Sequence, residues 1–254
     1  MRAASTTYAG SGPMCSAGQE GSSGEPRAHA DASPPGRRDS VDPVLVALAA
    51  AAGWLDATAY LHAHVFAANM TGNTVLLGLG VAAGNGGTIA LTFSAVIAFV
   101  AGSFGATAIA ARLRPAARTV LLLEAGILAA VAVLWLRMPA EAAALGTVAI
   151  AGASFAMGMQ QAATEQLHPQ SSLSTTYMSG TLERIGSGLY KLFARKPAQF
   201  TVNIVIWFAF LVAAFAAGRI PGTSILTFAP CALVAGVALS LRLSGEREPF
   251  VRRR

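Results

Sequence analysis

The stretch FAANMTGNTVLLGLGVAAGNGG, residues 66–87, sets a polar block, Asn69-Met70-Thr71-Gly72-Asn73, between two strongly apolar segments. Two amides, a hydroxyl and a glycine where the flanking residues belong in lipid need a reason. In lipid an unpaired backbone group is too costly, so irregular backbone survives at membrane depth only against protein or a water-filled cavity.

Composition supports the membrane setting, since 54% of residues are hydrophobic and only 12% are charged. A soluble domain needs about a quarter of its residues charged. The 254 residues suit one domain plus tails. The net charge of +6 comes with no basic-aromatic interleaving, so it reads as membrane orientation and nucleic acid is not an expected partner. Cys15 and Cys231 lie far apart, which argues against a disulfide framework or a thiolate metal site.

Residues 1–41, rich in Ser, Gly, Ala and Pro, read as a disordered cytoplasmic tail without a signal-peptide core, and Met14 is a second candidate initiator. Residues 42–242 read as the transmembrane domain and 243–254 as a basic cytoplasmic tail. Measured against the roughly 20 residues that cross a bilayer as a helix, the candidate spans are 43–62, 88–111, 119–136, 143–163, 199–218 and 223–241. Two shorter segments remain, 66–84 and about 171–193, the second too polar to span on its own.

These two short segments resemble each other. ANMTGNTVLLGLG and TYMSGTLERIGSG share Met, then Thr or Ser, then Gly. Each follows a span carrying Gly and then a polar residue three positions on, Gly53/Asp56 and Gly158/Gln161, and each precedes two more spans. The chain therefore reads as a weak internal duplication, about 43–136 and 143–241.

Lys and Arg favour cytoplasmic loops. If 66–84 dips in and returns, then Arg112/Arg114/Arg118, Arg184/Lys191/Arg195/Lys196 and Arg242/Arg247/Arg252 all fall on the side of Arg37/Arg38. Only Arg137 and Arg219 fall opposite. If 66–84 crosses, that bias weakens. The re-entrant reading gives three spans per repeat, an odd number, so the halves are inverted. Inverted repeats with a broken element in each half are the pattern of many secondary transporters.

Within the blocks, Thr71 or Asn73 is placed to cap a helix beginning at Thr74, and Ser174, Thr175 or Thr176 to cap the helix through Leu189. A helix N-terminus in a cavity offers free N–H groups to a ligand, whereas the same residues at a bilayer surface are ordinary turn caps. Both readings stay open on sequence alone.

Ionisable residues within spans are expensive and face the bundle interior by default. Ala49, Ala52, Gly53, Asp56, Ala59 and Tyr60 share one helical face, a small-residue stripe around the acid. Ser154, Gly158, Gln161 and Glu165 form a comparable stripe, with neutral Gln161 at the place of Asp56. That asymmetry suits one coupled proton or cation, and equally a hydrogen bond that locks helices together. Glu124, about five residues inside its span, is expected to reach the interface. His62 and His64 cannot share a helix face, so no metal pair is expected there. Trp54 and Trp207 read as packing and Trp135 beside Arg137 as an interfacial anchor. Gly186-Ser187-Gly188 is no nucleophile elbow, and with no phosphate loop, metal motif or paired catalytic carboxylates neither an enzyme nor a cofactor is expected.

GWLDATAYL and FAANMTGNTVLLGLG, followed a hundred residues on by GMQQAAT and STTYMSGTL, resemble the YoaK-like family of bacterial inner-membrane proteins, a domain of unknown function. The likeness runs from Val44 to Leu241, with the first motif matched at Gly53, Asp56, Asn69, Met70, Thr71, Gly72 and Asn73. In the second motif Ser179 replaces the usual threonine, and Gln160-Gln161-Ala162 stands where the family usually reads Gln-Asn-Ala. The resemblance implies a multi-span inner-membrane protein and no established activity.

The sequence thus predicts an all-α polytopic membrane helix bundle, six spans as two inverted three-span repeats, each with a short re-entrant or half-helix polar motif. The candidate substrate or ion-binding residues are Asp56, Asn69, Thr71, Gly72, Asn73, Gln161, Thr175, Thr176, Ser179 and Gly180. The expected function is transport of a small solute or ion in the bacterial inner membrane, with both termini cytoplasmic. The expected partners are the lipid bilayer, that solute and further copies of the chain. The alternative is a non-transporting scaffold or regulatory partner that uses the same small-residue faces for assembly.

Overall fold

Pro43 at the first helical position and Asp42 before it start the first helix, α1 (Pro43–Ala63), where the Val44 N–H donates to Asp42 Oδ1 at 2.8 Å. A computed structural model describes residues 41–113, 116–137, 143–168, 178–194, 201–219 and 228–243, all within the unit Asp39–Arg254. The expected tails, 1–41 and 243–254, lie almost wholly outside the described residues.

Among the described residues every regular element is a helix. After α1 come α2 (Met70–Ala82), α3 (Gly86–Arg112), α4 (Ala116–Arg137), α5 (Ala143–Leu167), α6 (Met178–Phe193), α7 (Thr201–Arg219) and α8 (Phe228–Leu243). His64, at φ 53°, ends α1 in the left-handed region. Gly84, at φ 64°, turns the chain from α2 into α3, where Asn85 caps by accepting from the Thr88 N–H at 3.1 Å.

Four of these helices, α1, α3, α4 and α7, are long and apolar enough to cross a bilayer by length and composition. α2 and residues Ala229–Leu241 of α8 are shorter apolar helices. The protein is a multi-pass membrane helix bundle. Its surface fits lipid, because large apolar side chains such as Phe104 (75% exposed), Phe215 (63%) and Val100 (59%) point outward. The interior is built largely from small residues, among them Ala49, Ala52, Ala95, Ala106, Ala156 and Ala163. This is the expected inversion, since packing and close backbone approach, not hydrophobicity, hold helices together in lipid.

The most extensive packing joins α3 to α5 and α1 to α7. α4 lies against α5 and α8, α1 also against α8, α2 against α3, and α6 against α7. Glycines set the closest crossings. A Cβ on Gly53 of α1 would run into the Phe210 carbonyl of α7, and a Cβ on Gly158 of α5 into the Phe99 carbonyl of α3. Gly102 meets the Phe155 carbonyl in the same way. Any side chain at these glycines would push two backbones apart.

Two contacts tie helix ends together. Asp42, at the start of α1, lies 3.1 Å from His168 Nε2 at the end of α5. His62, at the end of α1, meets Trp135, at the end of α4, with ring centroids 5.3 Å apart at 64°.

Candidate functional site

Asp56 sits two-thirds of the way along α1 and is 5% exposed. After His64 the chain folds back over the end of its own helix. The Ala68 N–H donates to Asp56 Oδ1 at 2.6 Å and the Asn69 N–H to the same oxygen at 3.3 Å. Between Asp56 and Ala63 the helix rises about 10 Å. The start of α2 is therefore held about that far back along α1, at the level of its carboxylate.

α2 begins at Met70 with Asn69 as its cap, whose Oδ1 accepts from the Gly72 N–H at 3.1 Å. This corrects the expectation of a helix starting at Thr74 under Thr71 or Asn73. Asn73, in the first turn of α2 and fully buried, clips the preceding loop. Its Oδ1 accepts from the Phe66 N–H at 2.9 Å and its Nδ2 donates to the Phe66 carbonyl at 2.7 Å, satisfying both backbone groups of one residue. Phe66 in turn stacks on Tyr60, centroids 5.0 Å apart, and covers Gly72, where an added Cβ would lie 2.9 Å from the Phe66 ring carbons.

The structure thus brings Asp56, Asn69, Gly72 and Asn73 together around the 64–69 loop, with Thr71 exposed beside them. The second-half residues are arranged differently. Gln161 is half-buried and donates to Glu165 Oε1 at 3.0 Å. Ser179 is exposed and Gly180 half-buried in the first turn of α6, while Thr175 and Thr176 lie outside the described residues.

The fully buried amide of α5 is Gln160, one position earlier, whose Nε2 donates to the Leu48 carbonyl of α1 at 3.1 Å. The repeat of glycine and polar residue pointed to Gln161, but one residue turns a helix by about 100° and so swaps the face. Other buried polar groups escaped the sequence. Thr181 on α6 and Asn203 on α7 are 1% and 4% exposed, and Thr181 Oγ1 and Asn203 Oδ1 have no hydrogen-bond partner among the described residues.

Glu124 is fully buried, with both carboxylate oxygens unpartnered among the described residues, which overturns the expectation that it reaches the interface. α4 starts at Ala116, so Glu124 lies about 12 Å from its end, too deep to snorkel. Among the described residues no three His, Cys, Asp or Glu side chains come together as a metal site. At the opposite end of α1 from the loop, the hydrogen bond from His168 holds the Asp42 carboxyl below the ordinary carboxylate range, against its partial burial.

The sequence that builds this loop and the helices around it has relatives among known proteins. Residues 44–241 match the family described as "Protein of unknown function (DUF1275)". The chain belongs to the DUF1275 family. It is also 30% identical over 220 residues to the UPF0700 transmembrane protein YoaK of Bacillus subtilis (strain 168), covering 80% of this chain and 96% of that protein. No solved structure matches. Every residue of the 64–73 loop and cap falls inside the DUF1275 match.

Proposed function

We propose that the protein is a secondary transporter or permease for a small solute or ion in the bacterial inner membrane, with both termini cytoplasmic. In this reading six spans form two inverted three-span repeats, α1–α4 and α5–α8, in which α2 and α6 re-enter the membrane without crossing it. The observation that carries it is the contact of His62 with Trp135, 5.3 Å between ring centroids. Between them lie α2, α3 and α4, and α3 and α4 are both of spanning length. If only those two cross, the rings emerge on the same face. If α2 crossed as well, the rings would be separated by the bilayer, about 30 Å.

Asp42 and His168, 3.1 Å apart, support the same parity at the other face. Helix lengths agree with it. α2 starts about 10 Å back along α1 and rises about 20 Å over 13 residues, so on returning it overshoots the end of α1 by about 10 Å. α3, with 27 residues and about 40 Å of rise, is long enough to start there and still cross.

The inversion is further supported by paired contacts. α1 on α7 has its counterpart in α5 on α3, and α1 on α8 in α5 on α4. Gly53 against the Phe210 carbonyl has its counterpart in Gly158 against the Phe99 carbonyl. Inverted halves whose broken elements carry polar groups to membrane depth are the architecture on which alternating access is built. Asp56, Asn69, Thr71, Gly72 and Asn73 then line the outward element, and Gln161, Ser179 and Gly180 the inward one.

A second reading, a non-transporting scaffold, is favoured by a specific observation. Asp56 and Asn73 direct their hydrogen bonds to loop backbone instead of to an open cavity. Purified protein in liposomes separates the two. A panel of inorganic ions, amino acids and small organic acids is tested for uptake with and without an imposed pH gradient. Transport predicts uptake of at least one solute above protein-free vesicles. No uptake of any, together with no solute that raises the melting temperature, supports the scaffold.

A further inference from the structure

Glu124 is the buried ionisable group that the loop architecture does not use. Its helix neighbours Val120, Leu121, Ala125 and Leu128 are all buried in the apolar core, and neither carboxylate oxygen has a hydrogen-bond partner among the described residues. The contrast with Asp56 is direct, since that carboxylate accepts backbone N–H groups of the loop. An ionised carboxylate without counter-ion or donor in such surroundings costs many kcal/mol, far more than a folded chain can spare. A group of this kind does not stabilise the fold, and an apolar residue of the same size would fit as well.

We propose that Glu124 is a proton-binding site within the membrane span, holding a proton that exchanges with solvent. In the transport reading above, on which this clause rests, that proton is the coupling ion. A metal or alkali cation fits less well, because such ions need several oxygen ligands and the neighbouring side chains are apolar. The titratable or charged groups on the elements packed against α4 are few. They are Arg112 at the end of α3, Glu165 on α5, Cys231 and, by its position near the end of the helix, Arg242 on α8, with Arg118 and Arg137 on α4 itself. The Cys231 thiol donates to the carbonyl of Ala125, the residue next to Glu124 in the chain, at 3.2 Å. Among the described residues no group bonds to the carboxylate, so the proton is held by the carboxyl alone.

Infrared spectra of the full-length protein in lipid test this directly, comparing wild type with Glu124→Gln and Glu124→Leu. At neutral pH the wild type should carry the carbonyl stretch of a protonated carboxylic acid that both variants lack, and the band should shift on transfer to deuterated buffer. Glu124→Leu should melt at the wild-type temperature or higher. Three results would each overturn the site: no difference band, a band that does not move in deuterated buffer, or a lowered melting temperature in Glu124→Leu. In proteoliposomes both variants should lose the pH-gradient dependence of uptake, and gradient-driven uptake in either sinks the coupling role. If wild type takes up nothing while its band behaves as stated, the transport reading fails and the proton site stands.

Discussion

His62 and Trp135, at the ends of α1 and α4, meet edge to face with ring centroids 5.3 Å apart. Read separately, one is a histidine near the end of a span and the other an interfacial tryptophan. Together they bind the exits of two helices at one level of the bundle. In the proposed topology that relation corresponds to two crossings between the rings, α3 and α4, with α2 returning to the face it left.

The hold of Asp56 on the loop should depend on an acceptor and not on charge. Asp56→Asn keeps an oxygen for the Ala68 and Asn69 N–H groups. It should melt close to wild type. Asp56→Ala leaves those donors unsatisfied, at about 1–3 kcal/mol each where buried. Thermal denaturation in detergent should place the alanine variant well below the asparagine one, and equal melting temperatures would show that the contact does not hold the loop.

Asn73 needs both halves of its amide. Asn73→Asp keeps the acceptor for the Phe66 N–H but sets a carboxylate oxygen against the Phe66 carbonyl, where the amide now donates at 2.7 Å. At neutral pH Asn73→Asp should therefore be at least as destabilised as Asn73→Ala. Stability of the aspartate variant near wild type would mean that the Phe66 carbonyl has no need of this donor.

Gly72 carries two opposed effects. Alanine would favour the helix by up to about 1 kcal/mol, but its Cβ would press on the Phe66 ring at 2.9 Å, and overpacking costs about 1–3 kcal/mol. Gly72→Ala should destabilise the wild-type protein and stabilise a Phe66→Leu background. A double-mutant cycle reads the change of sign, and the same effect in both backgrounds would remove Phe66 as the reason for the glycine.

Asp42 and His168 give a pH dependence of definite sign. The folded carboxyl titrates below its ordinary value of 3.8 because His168 donates a hydrogen bond to it. Its contribution is therefore present above that pH and lost as pH falls through the lowered value. Asp42→Asn keeps a good helix cap and removes the charge. The wild type should exceed it by under about 1 kcal/mol at pH 5, since the Asp42 side chain is 35% exposed. The gap should close at lower pH, and a gap that widened on acidification would contradict the assignment.

The membrane class and the polar block at 69–73 were legible in the sequence because both rest on composition and local contrast. What each polar residue does was not. Asn69, Thr71 and Asn73 are all competent caps by type, and only the return of the chain onto Asp56 selects Asn69 as cap and Asn73 as clip. Gln160 and Gln161 are adjacent and chemically identical, so choosing the buried one needs the rotation of α5 against α1. Hydropathy alone starts this span at 119 and so sets Glu124 near the interface, whereas α4 begins at Ala116, three residues earlier, and buries the side chain. The contacts that bear on topology, His62 with Trp135 and Asp42 with His168, join distant parts of the chain and leave no local trace.

The proposed inverted repeats require α2 to return to the face it left. Single cysteines at Ala63, where α1 ends, and at Asn85, between α2 and α3, can be introduced into a chain whose native Cys15 and Cys231 are replaced. They are then treated with a membrane-impermeant thiol reagent on intact cells and on inverted vesicles. Both positions should label from outside on intact cells and neither on inverted vesicles. Labelling of Ala63→Cys and Asn85→Cys from opposite faces would mean that α2 crosses, and the inverted repeats would be contradicted.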